Sequence, residues 1–161
     1  MLKLSIPNTM HTKLFSWLAF TVLSVVQTEF PRSDFVIENV YFPYYASVKN
    51  DSTEPGMPLV INDHATQSSY WSYDSVKGNL VNINSISSVL TAPSDDSDRL
   101  TIEVPDSTNS KQVWVYQNQN LLNRDNMQLC VTIDLTSPVG FAMRLCDGAT
   151  GQKFNLVPKA K

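Results

Sequence analysis

Three windows of this chain repeat one pattern: INDHATQSSYW at 61–71, VPDSTNSKQVW at 104–114 and LCDGATGQKF at 145–154. Each reads apolar residue, any residue, aspartate, short polar turn, aromatic, and Asp63, Asp106 and Asp147 lie 43 and 41 residues apart. A period near forty in a chain of 161 residues means one supersecondary unit used three times. Such a unit buries its apolar face against its copies rather than alone.

The register extends beyond those windows. Trp71 and Trp114 each open Trp-x-Tyr, followed by Asn-Leu-apolar-Asn at Asn79–Asn82 and Asn120–Asn123. Val48, Val89 and Val131, each after a small residue (Ser47, Ser88, Cys130), are spaced by 41 and 42 and are read as equivalent. The units are placed at about 37–78, 79–120 and 121–158. Within them LTIEV (100–104), FAMRL (141–145) and VWVY (113–116) alternate apolar and polar residues, and polar clusters such as PSDDSD (93–98) and PDSTNS (105–110) separate the runs. Period two with frequent turn signals predicts short antiparallel strands. Four per unit, three times over, predicts an all-β fold of twelve strands with threefold pseudo-symmetry, a β-trefoil. The segment 29–36 (EFPRSDFV) reads as an arm or as a first strand.

The N-terminus follows another rule. Residues 14–26 (LFSWLAFTVLSVV) are an uncharged apolar run of 13, preceded by Lys3 and Lys13 and followed by Gln27 and Thr28. That layout predicts a secretory signal peptide over 1–28, starting at Met1 or Met10, and a mature domain over 29–161. The run falls short of the ~20 apolar residues of a membrane span, so stable membrane insertion is not expected after cleavage, and an uncleaved anchor or buried helix is the alternative.

Cysteine usage agrees with secretion. Cys130 and Cys146 are sixteen residues apart in the third unit, and an oxidising compartment should pair them. Zinc is the other use of cysteines, but two thiols with no nearby histidine do not fill four positions, so no metal or cofactor is expected. Asn50-Asp51-Ser52 is a sequon in a polar stretch and marks Asn50 for N-glycosylation where the machinery exists. Removing Lys3 and Lys13 from the 12 Lys and Arg leaves ten against 15 Asp and Glu, a net charge of −5. A nucleic-acid partner would want the opposite sign.

The motif at the end of each window resembles the Gln-x-Trp motif of the ricin B-type lectin trefoils. Gln112-Val113-Trp114 matches it, Gln152-Lys153-Phe154 carries phenylalanine in place of tryptophan, and Ser69-Tyr70-Trp71 is a degraded copy. Residues 128–154 are similar to one whole subdomain of that family, cysteine pair included, and the resemblance spans about 37–158. It implies a secreted module that binds glycans or glycoproteins. Trp71, Trp114 and Phe154 are expected at the shared axis as core aromatics, where each ring buries roughly 150–250 Å². Asp63, Asp106 and Asp147 are expected to accept turn N–H groups rather than sugar hydroxyls.

The same resemblance implies a sugar-binding carboxylate two residues after the first cysteine and an aromatic two before the second. Those positions hold Thr132 and Arg144; the valine spacing puts Lys49 or Asn50 with Val60 in the first unit and Leu90 or Thr91 with Glu103 in the second. No unit keeps both elements. A displaced site is the remaining reading, built from Asp134, Arg144, Asp147 and Gln152 in the third unit or from Asp95, Asp96 and Asp98 in the second. The competing function is a trefoil that binds a protein partner, as the targeting subunit of a toxin-like complex or as an inhibitor. Catalysis is not expected: His64 sits beside a turn aspartate with no nucleophile elbow near it, and the acidic cluster occupies one turn instead of facing across a cleft.

Overall fold

The computed structural model describes residues 29–93, 99–135 and 140–160. The proposed signal segment and the acidic turn Asp95, Asp96 and Asp98 lie outside them. Twelve strands follow in order: β1 Phe35–Asn39, β2 Tyr45–Val48, β3 Leu59–Asn62, β4 Tyr70–Asp74, β5 Asn79–Asn82, β6 Val89–Thr91, β7 Thr101–Glu103, β8 Trp114–Gln117, β9 Asn120–Asn123, β10 Asn126–Asp134, β11 Gly140–Leu145 and β12 Phe154–Pro158. Short 3-10 turns at Gln67–Ser69, Ser110–Gln112 and Thr150–Gln152 precede β4, β8 and β12, and another at Lys49–Asp51 follows β2. The twelve strands in three quartets are those that the sequence predicts.

Six strands form a barrel. Antiparallel ladders join β12 to β1, β1 to β4, β4 to β5 and β8 to β9. The N–H groups of Trp114 and Phe154 donate to the carbonyls of Gly78 and Gln119, 2.8 Å each, and link the remaining neighbours. The other six strands form the hairpins β2–β3, β6–β7 and β10–β11. Their inward pairs Val48/Leu59, Ala92/Leu100 and Ile133/Phe141 are all buried and pack into one core with the barrel. The disulfide Cys130–Cys146 ties β10 to the residue after β11. Closing a loop of that span contributes roughly 3 kcal/mol in the chain-entropy picture.

Trp71, Trp114 and Phe154 are fully buried, as expected of core aromatics. Each indole N–H has a partner: Trp71 Nε1 donates to the Ala46 carbonyl at 3.2 Å and Trp114 Nε1 to that of Leu90 at 2.8 Å. These bonds correct the valine register of the sequence. Ala46, Leu90 and Val131 are the equivalent residues, paired across their hairpins with Ile61, Ile102 and Met143. Val48 and Val89 sit two residues after and one before their proper counterparts, because the loops leading into β2 and β6 differ in length.

A buried asparagine closes the first strand of each unit. Asn39 Nδ2 donates to the Thr150 carbonyl at 3.0 Å, Asn82 Nδ2 to Ser68 at 2.8 Å and Asn123 Nδ2 to Lys111 at 2.8 Å. Every one therefore satisfies the 3-10 turn of the preceding unit, the first reaching round to the third. A 3-10 turn leaves carbonyls without internal partners, and a buried side-chain amide supplies the missing donor.

Residues before Phe35 are an arm, not a strand. Phe30 stacks on Tyr73, ring centroids 4.0 Å apart and planes 20° from parallel, and it also meets Phe35 and Tyr116. This cluster lies two residues beyond the tryptophans along β4 and β8, at the barrel end away from the hairpins. Tyr116 Oη donates to the Phe154 carbonyl at 2.7 Å, and burial pushes the phenol from 10.0 up to about 12. Its neutral form is held in the folded state, so stability present below pH 10 is lost as the pH rises through about 12. Thermal unfolding followed from pH 9 to pH 12 should show this alkaline loss, and Tyr116→Phe should make it shallower; an unchanged slope would refute the assignment.

Candidate functional site

The 3-10 turn in front of each core aromatic is held by one residue that spans turn and hairpin. Gln112 Nε2 donates to the Val104 carbonyl at 3.0 Å and to Thr91 Oγ1 at 3.3 Å, while its Oε1 accepts the Asp106 N–H at 2.7 Å. Gln152 repeats this with the Leu145 carbonyl at 2.7 Å, Thr132 Oγ1 at 3.2 Å and the N–H groups of Asp147 and Gly148. In the first unit Ser69 replaces the glutamine: its hydroxyl pairs with Ser47 Oγ at 2.5 Å and accepts the Thr66 N–H at 2.9 Å. Ser47, Thr91 and Thr132 are thus equivalent. The family positions implied in the first unit become Ser47 and Asn62, in place of Lys49 or Asn50 with Val60.

Two of the three turn aspartates behave as expected. Asp106 Oδ1 accepts from the Thr108 N–H and hydroxyl, which hold its carboxyl below the usual range, and Asp147 Oδ1 accepts from the Ala149 N–H. Asp63 does not; its Oδ1 meets His64 Nδ1 at 2.6 Å on an exposed surface. The first turn, from Asn62 to Gln67, is shorter than those from Glu103 to Ser110 and from Arg144 to Thr150. Asp51, from the loop after β2, takes over: it accepts from the Thr66 hydroxyl at 2.6 Å and the Ser68 N–H at 3.1 Å. Hydrogen bonding from the Ser68 side chain first, then from the Thr66 hydroxyl and the Ser68 N–H, lowers its pKa. The period drew attention to Asp63, and a cap coming from another loop leaves no mark in a repeat alignment.

Of the third-unit candidates, Asp134 and Arg144 are brought together, with Oδ2 and Nη2 3.5 Å apart on a partly exposed surface. Gln152 is 1% exposed and both ends of its amide are engaged, so it is a scaffold residue and presents nothing to a ligand. Asp147 is exposed and turned into its own loop. The 3-10 turn also lies close against β10: a Cβ on Gly151 would stand 2.9 Å from the Ile133 carbonyl, so a side chain has no room there.

Among the described residues, the second unit has a cleft at the equivalent place. A cleft of about 270 Å³ runs between hairpin β6–β7 and the turn Ser110–Gln112, lined by Ala92, Pro93, Arg99, Thr101, Glu103, Asn109 and Lys111 among others. Glu103 Oε1 accepts from Thr101 Oγ1 at 2.8 Å. Asn109 Oδ1 accepts the Lys111 N–H at 3.1 Å, and the Lys111 carbonyl accepts from Ala92 N–H and Asn123 Nδ2. The backbone that carries Lys111 is therefore fixed from three sides. One carboxylate, one amide, hydroxyls and two cations line the cleft beside the apolar Ala92 and Pro93. Thr91 and Glu103 hold the positions where the family resemblance implied a carboxylate and an aromatic, neither of which the sequence keeps there; Lys111 and Asn109 leave no sequence signal, because only the fold brings the turn onto the hairpin.

A larger space of about 770 Å³ lies at the Phe30 end of the barrel, lined by Phe30, Arg32, Tyr73, Trp114 and Tyr116 among others. It is walled by the arm on one side and by β4 and β8 on the other. The cleft of the second unit is the better-built site.

No family model and no curated protein matches this sequence. Solved structures do. The C-half of an earthworm R-type lectin, solved with GalNAc, superposes with a TM-score of 0.68 at 14% identity over 79% of this chain and 99% of its own. The β-trefoil lectin of the Vibrio vulnificus hemolysin/cytolysin, solved with N-acetyl-D-lactosamine, gives 0.65 at 16% identity over 80% and 97%. The designed threefold-symmetric protein ThreeFoil gives 0.64 at 16% identity over 78% and 99%. With twelve strands closed as described, and with R-type and β-trefoil lectins among its structural neighbours, this chain is a β-trefoil.

Proposed function

We propose that this trefoil is a secreted carbohydrate-binding module that recognises extracellular or cell-surface glycans. The observation that supports it best is the cleft of the second unit, lined by a carboxylate, an amide and hydroxyls, the groups that pair with sugar hydroxyls. Residues 1–28 serve as the signal peptide, and Cys130–Cys146 suits the oxidising compartment to which it leads. Asn50, exposed at the Lys49–Asp51 turn, is the glycosylation site in such a compartment. Asp134 and Arg144 form a second polar element on the third unit. Sites this shallow bind weakly one at a time, and avidity comes from several together.

A glycan array on the purified protein tests the proposal. Binding to a set of related glycans, competed by free sugar, supports it. In that case Glu103→Gln should weaken binding by about tenfold, the scale of one charge-assisted hydrogen bond. An empty array, with one protein recovered by pull-down, would replace the reading with the protein-binding one.

A further inference from the structure

We infer that the first unit carries a separate glycan-contact surface on the barrel wall, centred on Tyr45 and Glu38, outside the cleft proposed above. The threefold symmetry isolates it. The strand pair joining barrel to hairpin is Val81↔Val89 in the second unit and Leu122↔Cys130 in the third, apolar in both. In the first unit the same pair is Glu38↔Tyr45. The two residues are partly exposed, and Tyr45 Oη donates to Glu38 Oε1 at 3.1 Å. An apolar, largely buried pair has become a carboxylate beside an aromatic ring.

The residues around it continue the row. Residues directly opposite in antiparallel strands share a face, which places Asn62, Tyr45, Glu38 and Asn155 side by side across β3, β2, β1 and β12. Asn155 Oδ1 accepts from Gln119 Nε2 at 3.2 Å, which orients the amide. On the next rung Tyr70 lies under the Lys159 ammonium at 4.8 Å. Glu38 and Tyr70 both act on the Tyr45 phenol, the hydrogen bond to Glu38 being the largest cause of its raised pKa.

Such a row matches one ligand class. Paired sugar hydroxyls can donate to the carboxylate and exchange hydrogen bonds with the asparagine amide, while the C–H face of the ring rests on tyrosine. The carboxylate at the centre disfavours anionic sugars, so the occupant is a neutral saccharide unit. This inference shares the carbohydrate reading but uses none of the second-unit cleft.

The test is an amide chemical-shift titration of labelled mature protein with lactose and, separately, with GalNAc at millimolar concentration. Shifts at Glu38, Tyr45, Asn62 and Asn155 are expected to saturate on their own curve, persist in Glu103→Gln, and weaken at least tenfold in Tyr45→Ala with the Lys111 region unperturbed. Tyr45→Phe, which keeps the ring, should retain part of the affinity. Shifts confined to Thr101–Lys111 would overturn this inference and leave the cleft standing. Shifts confined to the Tyr45 row would overturn the cleft alone. No shift anywhere, or first-unit shifts that survive Tyr45→Ala, would overturn the surface.

Discussion

Trp114→Ala is expected to lower the unfolding free energy by about 3–5 kcal/mol. The side chain is 1% exposed, stands at the meeting of barrel and hairpins, and donates its indole N–H to the Leu90 carbonyl. Its removal leaves a cavity in the shared core and strips that carbonyl of its partner. A domain of this size loses roughly 3–4 °C of melting temperature per kcal/mol, so the midpoint should drop by about 10–20 °C. Val104→Ala, on an exposed side chain of the same unit, should move it by about 2 °C or less. A Trp114→Ala midpoint as close to wild type as that control would remove the axial aromatics from the account of stability.

Gln112→Ala should cost about 3 kcal/mol although no large apolar volume is lost. The amide is 1% exposed and serves the Val104 carbonyl, the Thr91 hydroxyl and the Asp106 N–H at once. Each group left without a partner costs roughly 1–3 kcal/mol, partly recovered by water at the outer two. Chemical denaturation measures the loss. Hydrogen exchange locates it: protection should fall first at Asp106, Gln112 and Trp114. Gln152→Ala should behave alike, since it holds the third turn by the same bonds. Equal protection in mutant and wild type would mean that the turn is held by something else.

The repeat made the fold readable because a core aromatic recurs about every forty residues, at 71, 114 and 154, with a turn glutamine two residues before the last two. Register was harder. Val48 looked like the partner of Val89 and Val131, yet loop length displaces it, and the hydrogen bonds of Trp71 and Trp114 identify Ala46 and Leu90 instead. Asp63 misled for a related reason, since the carboxylate that caps its turn is Asp51, from a different loop. Gln152 was read as a contact for ligand, and burial shows that a polar residue in a repeat is spent on the repeat. The exchange of an apolar pair for Glu38 and Tyr45 became visible only when strand pairing told which residues of the three units correspond.

The ladder between β1 and β12, from Phe35↔Pro158 to Asn39↔Phe154, sets when the molecule can exist. In synthesis β12 emerges long after its partner, so the barrel has no closing stave until the C-terminal strand arrives. Contacts between segments so distant in sequence form slowly, because loop-closure entropy comes before any gain. A nascent chain of this design therefore cannot complete its barrel until residues 154–158 have been made. Its folding clock starts at the far end, with Phe154 to Pro158.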